Sequence, residues 1–310
     1  MTRFFLQFSV LALSAFCGLA GADEDGIRTV SLPDGRSLSF RELGNPNGPL
    51  VFYFHGLPGS HMEAKLIADE IRRAGLRVVS VDRPGIAHSS YQADRKMTDW
   101  PRDIGYLADR LGYRKRKFGI LAVSGGTPYG CVCALEMGPR ISHLAIVTPF
   151  APVEAEGVEK SSLNFLLQFG ARHPNIAKLV LRSQNKRLQR NPDKAAKKGV
   201  RPFLPEERSF VLDQPQVKQD FLSNLKQISH QGPRGVVTEI KLLANPWGFE
   251  ISHIRGVSVS IWAGGRDEIA PVSMAQYFRD GISGSRLHVN PETGHLSTFK
   301  EQAGRILSRF

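Results

Sequence analysis

A serine flanked by small residues is the side chain in this sequence best placed to act as a nucleophile. Ser124 follows the apolar run 120–123 and precedes Gly125 and Gly126, a pattern that predicts a buried strand turning sharply into a helix. Small residues two positions before and after the serine, here Ala122 and Gly126, avoid crowding in such a turn. The turn lifts the hydroxyl clear of the sheet at the positive end of a helix. Without a base nearby, the same pattern is only a glycine-rich turn with a solvent-exposed serine.

A serine hydroxyl becomes an effective nucleophile when a histidine takes its proton and a carboxylate orients that histidine. Both residue types follow predicted strands in the C-terminal part of the chain. Asp267 comes after the apolar run 257–263 and a glycine pair, and His295 comes after the short strand 287–290 and Gly294. A loop at that position can aim the imidazole at the edge of the sheet. We therefore predict Asp267 as the acid and His295 as the base.

Other histidines and carboxylates compete for these two roles. His288 alternates with apolar residues in a strand and is predicted to be structural, and Asp82 is predicted to anchor the turn 82–85. His295 itself has an alternative role as a cap of the last helix. The remaining candidates lie near helix ends, in the long insertion or beside the preferred residues: His143, His173, His230 and His253 for the base, and Glu268 and Glu292 for the acid.

A third motif follows the buried strand 50–54, where the chain reads His55-Gly56-Leu57-Pro58-Gly59. By itself this loop is a glycine- and proline-rich turn. Its order relative to Ser124, Asp267 and His295 makes the chain resemble the α/β-hydrolase superfamily. That family has a G-x-S-x-G nucleophile turn, in which this chain replaces the first glycine by Ala122. The HG-x-PG form of the loop is similar to that of prolyl-iminopeptidase-like and related ester-hydrolase branches.

The resemblance implies a role for each matching residue. Ser124 would be the nucleophile, His295 the general base and Asp267 the group that orients His295. The backbone N–H groups of Leu57 and Gly125 would stabilise the oxyanion formed during acyl transfer. His55 and Gly56 would belong to the loop that carries the first of these donors. Water would then release the acyl group from the enzyme.

Predicted strands and helices alternate along most of the chain, which predicts an α/β fold with a mostly parallel, doubly wound sheet. An N-terminal hairpin over 28–43 precedes them, turning at Pro33-Asp34-Gly35. The predicted strands are 50–54, 77–82, 117–123, 142–148, 257–263 and 285–290, and the predicted helices lie near 60–74, 101–112, 127–137, 271–280 and 296–309.

Residues 151–252 interrupt this alternation and are too numerous for a simple connection. They carry at least three segments of helical periodicity, and the resemblance implies that they form a helical cap over the serine. The apolar side chains of these segments could contact the substrate, but we expect any single one of them, such as Leu166, Ile176, Leu179 or Val180, to pack against the rest of the protein. The predicted hydrolase core then consists of residues 23–150 and 253–310.

The first residues have the pattern of a secretory signal peptide, predicted over 1–22. A short basic start is followed by the apolar run 4–18 and by Ala20-Gly21-Ala22, which fits a signal-peptidase site. The alternative is an uncleaved N-terminal anchor. We expect cleavage near Ala22 and export to the periplasm or the medium.

The chain of 310 residues carries a formal charge of +12, and the predicted cap holds the densest basic segment. We expect that segment to be a solvated face, with attraction to an anionic membrane surface as the alternative. No nucleic-acid recognition motif is present, and an exported protein is not expected to meet nucleic acid. No metal-ligand cluster appears, so we expect neither a metal nor another cofactor, and nothing indicates the oligomeric state. The basic residues are Lys178, Arg182, Lys186, Arg187, Arg190, Lys194, Lys197, Lys198 and Arg201, opposed by Asp193.

These observations predict an exported serine hydrolase that cleaves a carboxylic ester or related acyl bond in a small-molecule substrate. One alternative is an aminopeptidase, which needs a carboxylate in the cap to hold the amino terminus of its substrate. The other alternative is a ligand-binding protein on a hydrolase fold, whose signature would be the loss of a catalytic residue. Candidates for the carboxylate are Glu154, Glu156, Glu159, Glu206 and Glu207.

Overall fold

The computed structural model describes residues 26–310, which are built around one eight-stranded sheet in the order β1-β2-β4-β3-β5-β6-β7-β8. Strand β2 runs antiparallel to both of its neighbours, and all other neighbouring strands are parallel. The predicted α/β fold with a mostly parallel sheet is confirmed. The strands are β1 Ile27–Ser31, β2 Ser37–Gly44, β3 Leu50–Phe54, β4 Arg77–Val81, β5 Phe118–Val123, β6 Ile141–Val147, β7 Ser258–Gly264 and β8 Arg286–Asn290.

Twelve α-helices accompany the sheet within residues 26–310, six of them between β6 and β7. They are α1 Ala68–Arg73, α2 Trp100–Arg110, α3 Thr127–Met137, α4 Asn164–Arg172, α5 Pro174–Arg190, α6 Pro192–Gly199, α7 Pro205–Asp213, α8 Pro215–Ile228, α9 Arg234–Leu243, α10 Val272–Gly281, α11 His295–Glu301 and α12 Ala303–Leu307. No helix in this part of the chain is both long enough and apolar enough to cross a bilayer.

The central strands are buried on both faces, and their side chains alternate between two hydrophobic cores. On β3, Phe52 and Phe54 face the core that includes α2, α3 and α10. Val51 and Tyr53 face the opposite core, which includes α1, α11 and α12. Strands covered by helices on both faces have no solvated side, which is why β3 and β5 are apolar throughout.

Prolines define the starts of the inserted helices. Helices α5, α6, α7 and α8 each have a proline at their first position. Proline suits that position because its missing N–H has no partner within the helix and its φ is already helical. The proline spacing in the sequence therefore sets where most of these helices begin.

Polar contacts join the inserted helices to the sheet domain near the carboxyl ends of the strands. The Ser60 hydroxyl donates to Asn224 of α8 over 2.7 Å, and Lys65 forms an ion pair with Asp220. The guanidinium of Arg83 donates to Glu239 of α9 over 2.6 Å. The insertion is thus held against the edge where Ser124 leaves β5.

Two predicted helices are each divided in the structure. The helix expected near 60–74 begins as a 3-10 helix, His61–Ile67, before α1. Its first N–H groups are held by side chains, because Asp82 accepts from His61 N and Ser60 accepts from Met62 N, and 3-10 turns are frequent at such helix starts. The helix expected over 296–309 is divided at Gln302, whose N–H is shared between two carbonyls at the end of α11.

Candidate active site

Ser124 lies on a sharp turn between β5 and α3, with a positive φ of 50°. Left-handed backbone is costly for a residue with a side chain, so the surrounding structure must enforce it. Gly126 shows how tight the turn is, because a Cβ there would lie 2.3 Å from the carbonyl oxygen of Phe54. The serine is 8% exposed and faces a cavity. A strained, partly exposed hydroxyl at a helix start is the arrangement that the sequence pattern predicts.

Ala122 takes the place of the first glycine of the family pattern, and Gly130 of α3 makes room for it. A Cβ at Gly130 would lie 2.7 Å from the Cβ of Ala122. Strand β5 and helix α3 can therefore approach closely because only one of these two positions carries a methyl group. In this chain the glycine of the pair lies on the helix and not on the strand.

Asp267 and His295, which are 28 residues apart in the chain, are directly hydrogen-bonded. Nδ1 of His295 lies 2.7 Å from Oδ2 of Asp267. The other carboxylate oxygen of Asp267 accepts the N–H groups of Ile269 and Ala270, each over 2.8 Å. Because the carboxylate is acceptor-only when ionised, His295 donates from Nδ1, and Nε2 is the ring nitrogen that can accept a proton.

The loops that carry Asp267 and His295 pack against each other through glycines. A Cβ at Gly264 would lie 2.4 Å from the carbonyl oxygen of Thr293, and one at Gly265 would lie 2.7 Å from Pro291. The backbone N–H of Arg266 also donates to Thr293 over 3.0 Å. These close approaches fix the relative position of the acid and the imidazole.

The charges around His295 raise its pKa above the ordinary value of 6.5. Burial acts in the opposite direction, since it disfavours the charged imidazolium. Burial is the largest single influence, but the charge and hydrogen bond of Asp267, together with the charges of Glu207 and Glu63, outweigh it. The site therefore stabilises an imidazolium, which is the form His295 would adopt on taking a proton from a serine.

The loop after β3 runs beside the residue that follows Ser124. A Cβ at Gly125 would lie 3.1 Å from the backbone nitrogen of Leu57. His55 of this loop is fully buried; its Nδ1 donates to the Gly56 carbonyl over 2.9 Å and its Nε2 accepts the Arg83 N–H over 3.4 Å. Burial and then the Arg83 charge hold the pKa of His55 well below its ordinary value. His55 is thus a neutral residue that shapes the loop.

A buried charged network supports this loop from below, and the sequence did not reveal it. Arg83 donates to the carbonyls of His55 and Gly56 over 2.5 and 2.8 Å, and its Nε donates to Glu239. Glu239 also accepts from Arg95 and, over 3.0 Å, from Tyr129 of α3. The loop beside Ser124 is therefore coupled to helix α9 of the insertion. The available signal was an acidic residue within the apolar stripe of α9.

Glu63 is a second residue that the sequence did not single out. Its Oε1 accepts the Tyr53 hydroxyl over 2.6 Å and the Gly56 N–H over 2.9 Å, and it lines the same cavity as Ser124 and His295. Burial raises the pKa of this carboxyl. The spacing Ser60-x-x-Glu63 has the form of a capping box, but the carboxylate holds Gly56 instead of the helix start.

The cavity in front of Ser124 has a volume of about 530 Å³, within the range of roughly 300–1,000 Å³ of ligand pockets. The sheet domain and the inserted region both supply apolar walls. The main apolar side chains are Leu57, Met62, Val123 and Phe299 from the first, and Phe203, Val211, Val217 and Phe221 from the second. Ring stacking places Phe203 beside His295, with 6.3 Å between the ring centroids.

The other carboxylates and histidines considered for the roles of Asp267 and His295 include three whose side chains are engaged elsewhere. Asp82 accepts from the ring of His61 and from Ser39, each over 2.7 Å. His143 lies between two serine hydroxyls of β7, and burial lowers its pKa to about 4. His288 stacks on Trp262 with 4.2 Å between centroids. Within residues 26–310, no group of three or more His, Cys, Asp or Glu side chains is arranged to hold a metal ion.

Comparisons with solved structures show the same architecture at low sequence identity. A hydrolase from Pseudomonas aeruginosa PA01 aligns with a TM-score of 0.67 and 18% identity over 93% of this chain and 97% of its own. An esterase from Exiguobacterium antarcticum aligns with a TM-score of 0.64 and 19% identity, and an enol-lactonase from Burkholderia xenovorans LB400 with 0.63 and 17%, each over 90% of this chain and 96% of its own. At these identities the likeness establishes the fold alone.

The comparison by sequence is more specific for the family. No curated protein matches the chain. The profile of the α/β hydrolase fold family, however, matches residues 49–302. This range includes the Ser124 turn, the loop after β3, the inserted helices and the Asp267–His295 pair. The chain therefore belongs to the α/β hydrolase fold family.

Proposed function

We propose that this protein is a serine hydrolase that cleaves carboxylic esters with an apolar acyl group. The observation that carries the proposal is the position of Ser124, a strained serine opening into an apolar cavity that His295, bonded to Asp267, also lines. An alcohol-bearing residue, a base and an orienting acid are the three groups that acyl transfer requires. Their presence argues against a purely ligand-binding role.

The proposed reaction proceeds in two halves. Ser124 Oγ attacks the ester carbonyl while His295 Nε2 takes its proton, and the resulting oxyanion accepts hydrogen bonds from the N–H groups of Leu57 and Gly125. The carbon–oxygen bond to the alcohol then breaks, and His295 returns the proton to the leaving alcohol. In the second half, His295 takes a proton from water, the hydroxide attacks the acyl-enzyme and Ser124 leaves with that proton. Asp267 remains ionised and holds the imidazole throughout.

The composition of the cavity favours ester substrates whose acyl group is uncharged and apolar. Its walls are mostly aliphatic and aromatic side chains, and the carboxyl of Glu63 lies close to the serine. A Cβ placed at Gly56 would lie 3.3 Å from Glu63 Oε2 and 3.4 Å from Ser124 Cβ. A carboxylate on the acyl group of a substrate would be repelled by Glu63 and would lose hydration unfavourably in this cavity.

The aminopeptidase alternative has little support from the carboxylates of the insertion. Glu207 already accepts from Ser297 and from the backbone N–H of Leu204. Glu206 is exposed and pairs with Arg266. The other three candidates, Glu154, Glu156 and Glu159, are exposed. None of the five is therefore a buried, unoccupied carboxylate for a substrate amino group.

The proposal can be tested by labelling with a fluorophosphonate and by turnover of a panel of nitrophenyl esters and prolyl amides. We expect labelling and ester turnover in the unaltered protein, and loss of both in Ser124→Ala. Ser162→Ala is the matched control, since that serine is exposed and has no hydrogen bond from its hydroxyl among residues 26–310. Retained turnover in Ser124→Ala, or turnover of prolyl amides in preference to esters, would refute the proposal.

We also propose that the protein is exported. The predicted signal peptide, 1–22, lies outside the described residues, and the support is the sequence pattern alone. N-terminal sequencing of protein recovered from the cell envelope or medium is expected to start near Asp23. A cytoplasmic protein that retains Met1 would contradict this.

A further inference from the structure

Large apolar side chains that remain exposed are concentrated on two consecutive helices. Among residues 26–310, eight large hydrophobic side chains are exposed, and all but Tyr91 and Val289 lie on α4 and α5. The most exposed are Phe165 at 74%, Leu179 at 66% and Leu166 at 60%. We call this group the α4–α5 patch, which consists of Phe165, Leu166, Phe169, Ile176, Leu179 and Val180.

The patch is continuous on each helix. Phe165 and Phe169 are one turn apart on α4, and their rings stack with 6.0 Å between centroids. Ile176, Leu179 and Val180 have the i, i+3, i+4 spacing of one face of α5. Exposed apolar residues scattered singly need no explanation, whereas a contiguous group commonly marks a binding surface.

The sequence-based expectation that apolar side chains of these helices pack against the protein is wrong for four residues of the patch, Leu166, Ile176, Leu179 and Val180. Each of the two helices packs against the rest of the protein through a different side. On α4, Leu167 and Gly170 are buried, and a Cβ at Gly170 would lie 3.1 Å from Ile240 of α9. On α5, Leu188 is buried. The helices are amphipathic in the usual sense, with additional apolar residues on the side that faces solvent.

Basic residues without acidic partners are numerous on the helices that carry the patch and directly after them. Residues 164–201 contain ten Lys and Arg and one acid, Asp193, which pairs with Lys218 of α8. None of the ten takes part in an ion pair with residues 26–310. The exposed face of α5 changes from apolar at Ile176, Leu179 and Val180 to basic at its end. The ten are Arg172, Lys178, Arg182, Lys186, Arg187, Arg190, Lys194, Lys197, Lys198 and Arg201.

We propose that the α4–α5 patch docks the protein on an anionic lipid bilayer. Apolar side chains rich in Phe and Leu, next to unpaired Lys and Arg, are the composition of surfaces that insert at the level of lipid headgroups. Anionic headgroups would neutralise the basic residues while the patch enters the boundary of the acyl region. The alternative occupant, a second copy of this chain, would bring two strongly basic surfaces together and is electrostatically unfavourable.

The patch begins two residues along the chain from a residue that lines the catalytic cavity. Leu163, the residue before α4, lines that cavity. If the proposed ester hydrolysis is correct, docking would bring the cavity near a layer in which apolar esters are concentrated. The docking proposal itself rests only on the exposed surface, so its test does not depend on catalysis.

The test is co-sedimentation of the full chain with vesicles of phosphatidylcholine alone or mixed with phosphatidylglycerol. One variant combines Phe165→Gln, Leu166→Gln and Leu179→Gln, and a second combines Lys186→Gln, Arg190→Gln and Lys194→Gln. A matched control combines Arg114→Gln, Lys115→Gln and Lys117→Gln. It removes as many positive charges as the basic variant, but from the loop before β5, at the end of that strand opposite to Ser124. Val289→Gln is the control for an exposed apolar side chain elsewhere.

We expect the unaltered protein to bind mixed vesicles, and salt to weaken the binding. The apolar variant should bind at least tenfold less. The basic variant should bind roughly 100-fold less at low salt, since each basic side chain near the surface contributes roughly fivefold. Both controls should bind as the unaltered protein does.

Two further measurements keep the outcomes distinct. Circular dichroism and turnover of a water-soluble ester should be unchanged in both patch variants, because none of the altered side chains lines the cavity. Equal binding of all variants to the vesicles would overturn the proposal. So would a dimer in solution that dissociates in the apolar variant, since the patch would then be an interface between copies.

Discussion

At the scale of single residues, the hydrogen bond between Asp267 and His295 decides how the site can work. Asp267 holds the imidazole so that Nε2 is the proton acceptor. Asp267→Asn offers an amide that can present its N–H to Nδ1 and so favour the wrong tautomer. We expect folded protein whose kcat for a nitrophenyl ester is lowered by about 10⁴, as in related triads. His295→Ala should be about as damaging as the loss of Ser124.

Glu292→Gln is the matched control for this substitution. Glu292 lies in the loop before His295 and is exposed, and its carboxylate has no hydrogen-bond or ion-pair partner within residues 26–310. Its turnover should equal that of the unaltered protein. A damaging Glu292→Gln combined with a silent Asp267→Asn would show that the acid has been assigned to the wrong residue.

The dependence of activity on pH follows from the charges around His295. His295 must be neutral to accept a proton, and its pKa is raised above 6.5. Activity should therefore rise with pH, with a midpoint above 6.5. Glu207→Gln removes one of the charges that raise this pKa but keeps an oxygen to accept from Ser297. Its profile of kcat/KM against pH should shift to lower pH.

Glu206→Gln is the control for that shift, because Glu206 is the exposed neighbour of Glu207 and is paired with Arg266. Its profile should stay closer to that of the unaltered protein. A shift to higher pH in Glu207→Gln would contradict the electrostatic account of the His295 pKa.

Residue patterns led to Ser124, Asp267 and His295 because each follows a strand in a recognisable local context. Arg83, Glu63 and Glu239 have no comparable local signal. Glu63 contacts Tyr53 and Gly56, but its spacing from Ser60 indicates a helix cap instead. Arg83 and Glu239 are 156 residues apart, so their contact depends on the packing of α9 and the loop after β3 against each other. Local sequence spacing carries no information about such pairs.

At the scale of elements, the approach of α3 to β5 sets the position of Ser124. Gly130→Ala would place a methyl group 2.7 Å from Ala122 Cβ and 3.0 Å from Leu144. We expect a loss of about 1–3 kcal/mol in the free energy of unfolding, measured by urea denaturation, together with lower turnover. In Ala122→Gly with Gly130→Ala, the clash with position 122 is removed, so the double variant should be more stable than Gly130→Ala alone.

Additive losses in this double-mutant cycle would show that the two positions do not compete for the same space. The cycle thus tests whether the departure from the family's glycine pattern is compensated on the facing helix.

The elements also show what helical periodicity can and cannot predict. Four of the inserted helices begin at a proline, whose effect on the backbone is local. The apolar stripes of α4 and α5 were equally visible in the sequence. Whether such a stripe contacts the protein or faces solvent depends on how the helices pack together. That is why the α4–α5 patch emerged only from the structure.

At the scale of the whole molecule, the cavity lies between two distinct parts of the chain, the sheet domain and the inserted helices. The sheet domain supplies Ser124, His295 and one set of apolar walls, while the inserted region supplies Phe203, Val211, Val217 and Phe221. The proposed catalytic groups lie in turns and loops that follow strands of the sheet, and we expect the inserted helices to limit the size of the substrate. A substitution in the insertion should then alter the preferred substrate without moving Ser124.

Turnover of a series of nitrophenyl esters with increasing acyl length tests this division. Each methylene buried in the cavity should raise kcat/KM roughly fourfold, until the cavity of about 530 Å³ is filled. Val217→Phe adds a ring to the wall formed by α8, so the acyl length with the highest kcat/KM should become shorter. Turnover of an acetyl ester should stay within about twofold, because the first carbons of the acyl group lie beside Ser124. Val289→Phe, an exposed position on β8, should leave the profile unchanged. An optimum that does not depend on Val217 would mean that the acyl group binds elsewhere and that this wall contacts the leaving alcohol or no part of the substrate.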